Sequence, residues 1–220
     1  MTPIIIGEKN AKYCLVQPVD EHDASFLEKE YVFIKDLTEQ MPFVLAAFQV
    51  ERWNHDLSPR NAPAVFGKED FGDGATDTLN YIRNELLPAV RSDYFQNGGD
   101  FSCIIGGYSL AGLFSLWAVY QTDLFDGCAA ASPSVWFPGF LEEATSKPPQ
   151  TKSIYLSLGD REEKAKNPVM ATVGDCIRAL SAHYRQDSSL RSILEWNEGN
   201  HFKDADLRTA KAFAWCMRAG

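Results

Sequence analysis

Ser109 stands in the run Gly106-Gly107-Tyr108-Ser109-Leu110-Ala111-Gly112, directly between an apolar stretch of strand length, Phe101-Ser102-Cys103-Ile104-Ile105, and an apolar helical stretch, Leu110 to Tyr120. A serine hydroxyl is a weak nucleophile until a base and an oxyanion site are brought to it. A sharp strand-to-helix turn lifts the side chain clear of the backbone. It also aims the N–H of the next residue, Leu110, at a developing oxyanion and adds the positive end of a helix there. Such a turn demands small residues two positions either side of the serine. Gly107 and Ala111 meet that demand, alanine standing where a second glycine is usual. Two other readings fail on residue type: a Walker loop ends in Gly-Lys-Ser/Thr, which is missing, and a dinucleotide loop carries G-x-G-x-x-G in the first βαβ unit, whereas this turn follows at least two strands.

A nucleophile of this kind is followed in the chain first by an acid and then by a histidine. Of His22, His55, His183 and His201, only the last two follow Ser109. His183 lies inside a helical pattern. His201 follows the last strand in Trp196-Asn197-Glu198-Gly199-Asn200-His201-Phe202, which makes it the candidate base. The acid belongs after the intervening strand, Ile154 to Leu158, which runs into Gly159-Asp160-Arg161-Glu162-Glu163-Lys164. Spacing alone leaves Asp160, Glu162 and Glu163 all open.

The elements that must position these residues alternate along the chain. Strands are predicted at Tyr13–Gln17, Phe43–Val50, Phe101–Ile105, Gly127–Ala131, Ser153–Leu158 and Ser192–Trp196. Helices are predicted at Asp23–Leu37 with Asp23 as N-cap, at Thr76–Leu87 ended by Pro88, and at Leu110–Tyr120, Ala171–Tyr184 and Asp204–Met217. Glu51 to Gly74 reads as a polar loop. The pattern predicts an α/β fold in which a mainly parallel sheet carries helices on both faces, with the site at the carboxyl ends of the strands. The 220 residues are read as one domain, 1–220.

A formal net charge of -9 and the lack of any Lys/Arg cluster argue against nucleic acid and anionic membranes as partners. The N-terminus carries no signal-peptide pattern, and no apolar run is long enough to cross a bilayer. Five cysteines without a C-x-x-C pair read as buried reduced thiols, hence a cytoplasmic location. No His/Cys/Asp cluster has metal-ligand spacing, so neither metal nor other cofactor is implied.

Five segments together resemble a known family: Trp53-Asn54-His55-Asp56-Leu57-Ser58-Pro59-Arg60, Gly107 to Gly112, Ser132-Pro133-Ser134-Val135-Trp136-Phe137, Gly159-Asp160-Arg161-Glu162 and Gly199-Asn200-His201. In this order they are similar to the α/β-hydrolase esterases grouped with enterochelin esterase, feruloyl esterases and esterase D, over nearly the full chain from residue 13 to 218. The elbow marks the superfamily, and the elbow followed by S-P-S-x-W is more specific. The resemblance implies an α/β-hydrolase fold beginning near the family's third strand, with no insertion long enough for a lid and therefore an open cleft. It implies a serine hydrolase that cleaves small-molecule carboxylic esters through an acyl-enzyme, with Ser109 as nucleophile and His201 as base. The acid three residues beyond Gly159 is Glu162. The second oxyanion donor comes from the loop after the Tyr13 strand. There Pro18 stands where relatives often have glycine, and having no N–H it hands the role to Val19, with Asp20 next in line. Trp53, Tyr108 and Trp136 are the candidate substrate contacts; Trp53 and Asp56 either hold their loop or line the pocket, Trp136 either walls the acyl site or plugs the core, and Tyr108 packs under the elbow. A thioesterase, a peptidase or a non-catalytic binding protein on the same fold are the alternatives, and siderophore, feruloyl and acetyl esters are all compatible with the motifs.

Overall fold

Strand β5 (Gly127–Ala131) is made only of glycine, cysteine and alanine, and helices pack closely on both of its faces. It is an interior strand of a seven-stranded sheet in the computed structural model of the protein, which describes residues 1–9, 11–95 and 101–218. The other strands are β1 (Thr2–Gly7), β2 (Tyr13–Val19), β3 (Phe43–Gln49), β4 (Ser102–Tyr108), β6 (Ser153–Gly159) and β7 (Arg191–Asn197). Their order is β1-β3-β2-β4-β5-β6-β7; β1 runs antiparallel to β3 and every other pair is parallel.

Strands β2 to β6 are buried on both faces, which is why their sequences are apolar without alternation. Cys14, Val16, Val44, Ala46, Ile105 and Cys128 face one layer, which contains α4 (Ala75–Tyr81), α5 (Leu87–Tyr94), α6 (Leu110–Gln121), α7 (Phe140–Ser146) and α8 (Val173–Tyr184). Leu15, Leu45, Ala47, Ile104, Ala129 and Ala131 face the other, formed by α2 (Leu27–Leu37) and α9 (Ala205–Met217). Gly106 allows this second layer to approach, since a Cβ there would lie 2.6 Å from the Phe213 ring and 2.7 Å from Ala129.

The chain leaves β2 for β3 on one side and later returns to β4 on the other. The crevice between the ends of β2 and β4 is therefore the topological switch point of the sheet, where a ligand site is expected.

Three sequence expectations need correction. The helix expected over Asp23–Leu37 is two helices, α1 (Glu21–Ala24) and α2, and the N-cap of the first is Asp20, whose carboxylate accepts the Asp23 N–H at 2.7 Å. Pro88 does not end its helix. A wide π turn at Ile82–Leu86 precedes it, and α5 begins with Pro88 in its first turn. Such a turn displaces the carbonyl against which a mid-helix proline ring would clash. The chain also makes an antiparallel strand, β1, ahead of Tyr13, and α7 between β5 and β6. The loop after β3 holds one helical turn, α3 (Trp53–Asp56).

Candidate active site

Ser109 joins β4 to α6 with φ 57° and ψ -118°, a conformation that L-residues rarely adopt. Gly107 is required beneath it: a Cβ there would sit 2.6 Å from the Ala111 Cβ. Backbone bonds brace the turn, from the Ser109 N–H to Ala131 (3.1 Å) and from the N–H groups of Leu113 and Ser134 to the Ser109 carbonyl (both 3.0 Å). Leu110 is the first residue of α6, so its N–H has no partner within the helix and lies beside the hydroxyl.

The Ser109 Oγ lies 3.0 Å from Nε2 of His201, and Nδ1 of that ring lies 2.7 Å from Oε2 of Glu162. His201 comes from the loop between β7 and α9, and Glu162 from a short 3-10 turn, Glu162–Lys164, after β6. Of the three carboxylates left open by spacing, Glu162 is the one that meets the ring. Asp160 accepts the Gly199 N–H at 2.8 Å and so shapes the histidine loop, while Glu163 pairs with Arg178 at 2.6 Å.

The second oxygen of Glu162 is held by three donors: the Ser132 hydroxyl at 2.7 Å, the Gly159 N–H at 2.7 Å and Nη1 of Arg208 at 3.0 Å. Burial pushes this carboxyl up, but the hydrogen bond and charge of His201, with the Gly159 and Ser132 donors, reverse the effect and hold it below the ordinary carboxylate value.

Val19 does not serve as the second oxyanion donor. In a parallel ladder the N–H and C=O of one residue point to the same neighbour. The Val19 carbonyl accepts the Val50 N–H at 2.9 Å on the β3 side, and its own N–H turns the same way in the Val19–Gln49 register. The even-numbered residues of β2 face β4, as the bond from Ser102 N–H to the Lys12 carbonyl shows. Pro18 is one of them, and the β2–β4 ladder stops short of it at Val16–Ile105. Asp20, still extended at φ -87° and ψ -176°, carries its N–H to the β4 side, where Ser109 stands.

Ser109 and His201 open into a cavity of about 570 Å³. Trp53, Phe66, Trp136, Met170 and Val173 form its apolar wall, Phe202 stands exposed at its mouth, and Asp20, Arg161 and Lys164 also line it. Phe66 packs edge-on against Trp136 with ring centroids 6.2 Å apart. Trp53 and Trp136 both line the cavity. Tyr108 is not among the lining residues: its hydroxyl donates to the His201 carbonyl at 2.8 Å and accepts from Arg208 at 3.1 Å, supporting the histidine loop from below. Asp56 holds its loop, accepting from Arg52 at 2.8 Å and lying 3.0 Å from the His55 ring.

Sequence reasoning assigned no role to Ser132, Ser134 or Arg208. Ser132 orients the acid, and Ser134 ties the elbow by its backbone while its Oγ lies 3.4 Å from that of Ser109. Only the S-P-S segment as a whole signalled the two serines. Arg208 signalled itself as a charged residue among the apolar positions of α9. Among the described residues, no group of three or more His, Cys, Asp or Glu side chains is arranged to hold a metal, and no helix is long and apolar enough to cross a membrane.

A strained serine elbow at the switch point of a mainly parallel sheet, with a carboxylate and then a histidine following it along the chain, defines the fold of the α/β serine hydrolases. The family model described as "Putative esterase" matches residues 50–186, more than half of the chain, and the protein belongs to that family. The siderophore hydrolase EstA from Aspergillus nidulans superposes with a TM-score of 0.73 at 19% identity, covering 96% of this chain and 84% of that one. An IroE-like serine hydrolase from Shewanella oneidensis gives a TM-score of 0.75 at 16% identity, covering 97% and 74%. The uncharacterized protein YbbA of Bacillus subtilis (strain 168) is 25% identical over 130 residues, 57% of this chain; the match spans about half (52%) of that relative's length.

Proposed function

We propose that the protein hydrolyses carboxylic esters of small molecules through an acyl-enzyme. The observation that carries this reading is the continuous hydrogen-bonded chain from Ser109 through His201 to Glu162, opening into an apolar cavity. Ser109 attacks the acyl carbon as Nε2 of His201 takes its proton, and Glu162 keeps the ring in the tautomer that can accept it and stabilises the imidazolium. The N–H groups of Leu110 and Asp20 bind the oxyanion; removal of one such donor typically raises the barrier by about 3–4 kcal/mol. His201 returns its proton to the departing alcohol, and water then releases the acyl group by the same steps in reverse roles. Aromatic walls and the short β5–β6 connection suit short or aromatic acyl groups better than long chains. Five free cysteines, four of them buried, suit a reducing compartment.

A fluorophosphonate probe and 4-nitrophenyl acetate test the reading together. The wild-type protein is expected to be labelled at Ser109 and to turn the ester over, and Ser109→Ala to do neither while keeping its fold. Wild-type turnover by Ser109→Ala overturns the assignment. Absence of both labelling and turnover in the wild type makes the protein a non-catalytic binder, and faster turnover of a thioester or an anilide than of the oxyester redirects the substrate class.

A further inference from the structure

Arg208 is the largest side chain wholly withdrawn from solvent, at 2% exposure, and a mechanism built on the triad alone does not use it. A buried guanidinium requires a carboxylate partner and acceptors for its remaining N–H groups, and here all of them belong to the site. Nη1 lies 3.0 Å from Oε1 of Glu162, 3.1 Å from the Tyr108 hydroxyl and 3.3 Å from the Ser132 hydroxyl, and Nη2 donates to the Glu198 carbonyl at 3.0 Å. Those partners stand at the end of β4, in the turn after β5, in the turn after β6 and in the histidine loop after β7. One residue of α9 thus touches every segment that presents or orients the triad. Tyr108 extends the connection to the histidine itself, since its hydroxyl donates to the His201 carbonyl at 2.8 Å.

We propose that Arg208 is a positioning residue for the reaction, fixing the rotamer of Glu162 and offsetting part of the charge that Glu162 presents to the His201 ring. This rests on the esterase reading above.

Two consequences follow from the geometry. The guanidinium is the charged one of three donors on Oε1, beside Ser132 and Gly159, and it also ties that oxygen to the histidine loop through the Glu198 carbonyl, so loss of its planar geometry loosens the alignment of Oε2 with the ring. A cation on the far side of Glu162 also opposes formation of the imidazolium, so loss of its charge favours the protonated ring. Other titratable or charged groups near the ring and guanidinium are His22 and Asp23 of α1, Lys29 and Glu30 of α2, Asp204 and Asp206 at the start of α9, and Asp20, Arg161 and Lys164 at the cavity. None of them changes in the variants below. Burial keeps the Tyr108 hydroxyl neutral, pushed up to about 12, so Tyr108 passes on position and not charge.

The test compares Arg208→Lys and Arg208→Gln with the wild type in kcat, KM and kcat/KM against pH for 4-nitrophenyl acetate, with NMR titration of the His201 ring and urea unfolding alongside. Arg208→Lys keeps the charge and loses the fork, so kcat is expected to fall about tenfold or more, with KM within about threefold and the acid limb of kcat/KM unmoved. Arg208→Gln loses both, and the acid limb and ring titration are expected to move up together by roughly 0.5–1.5 pH units. If Arg208→Gln does not fold, Arg208→Lys decides by kcat alone. Folded variants with wild-type kcat and an unmoved acid limb overturn the inference, as does a uniform loss of activity that tracks only the unfolded fraction. A wild type that hydrolyses no ester overturns the esterase reading instead, and the ring titration still reports whether Arg208 and His201 are coupled.

Discussion

Replacing Glu162 by glutamine exchanges one oxygen for an amide nitrogen at nearly constant volume, and the surroundings dictate which way the amide lies. The Oε1 position faces three donors, the Ser132 hydroxyl at 2.7 Å, the Gly159 N–H at 2.7 Å and Arg208 at 3.0 Å. A carboxamide has one acceptor oxygen, which must take that position, so its NH2 group falls 2.7 Å from Nδ1 of His201. A donor there requires an unprotonated Nδ1, the ring proton moves to Nε2, and Nε2–H cannot accept from the Ser109 hydroxyl 3.0 Å away. Every triad position is filled, yet the ring is in the wrong tautomer. In a serine protease the same exchange costs about 10⁴ in kcat, or roughly 5.5 kcal/mol of barrier. Arg208 also loses its carboxylate, and breaking a buried pair costs up to about 3–5 kcal/mol of stability. Glu162→Gln is therefore expected to lower kcat for 4-nitrophenyl acetate by about 10³–10⁴ with KM changed less than about threefold, and to lower the urea midpoint. Asp160→Asn and Glu163→Gln, whose carboxylates are engaged by Gly199 and Arg178, are expected to stay within about tenfold of the wild type. A folded Glu162→Gln within tenfold of wild-type kcat would refute the tautomer argument.

Gly107→Ala is expected to destabilise the fold by about 1–3 kcal/mol through its contact with Ala111, and the double change with Ala111→Gly to recover part of that; denaturant unfolding of the three variants checks it, and no recovery counts against the contact. Burial raises the Glu30 carboxyl to about 8, so between about 4.5 and about 8 the folded state holds a proton that the unfolded chain has lost. Stability should fall as pH rises through that window, by up to about 1.4 kcal/mol per pH unit. Glu30→Gln should remove this component, and an unchanged slope of urea stability against pH would count against it. Acetyl and butyryl esters are expected to turn over faster than palmitoyl esters, because aromatic side chains, Trp53, Phe66 and Trp136, wall the cavity of about 570 Å³; the reverse order in a chain-length series contradicts this.

The parallel strands are legible because burial on both faces writes unbroken apolar runs at β2, β3, β4 and β6. The edge strand β1 carries only three isoleucines, and it is ordered by antiparallel pairing with β3, which local sequence does not announce. The same distinction divides the site. The elbow is local chemistry, a small residue two positions either side of a serine, and His201 and the acid loop follow from chain order. The direction of the Val19 N–H is not legible in the sequence: which side of β2 an N–H faces is set by register, and register appears only when β3 and β4 are paired on either side. What Tyr108 and Arg208 bond to is illegible for a related reason. Their partners lie 93 and 46 residues away, in His201 and Glu162, and only tertiary packing brings them within hydrogen-bond reach.

The conformation of Ser109 explains why the elbow and the S-P-S segment function as one unit. Backbone held at φ 57° and ψ -118° costs about 1–3 kcal/mol and persists only where its surroundings over-determine it. Two of its restraints come from beyond the elbow, the Ala131 carbonyl at the end of β5 and the Ser134 N–H. Each such bond is worth about 0.5–1.5 kcal/mol net, comparable with the strain itself. Between those two anchors sits Ser132, also at positive φ (43°), whose hydroxyl holds Glu162. One short turn therefore clamps Ser109 through its backbone and Glu162 through a side chain, 25 and 30 residues away along the chain in opposite directions. A change that moves this turn must disturb both ends of the triad together, whereas a change in the loop after β6 disturbs only the acid.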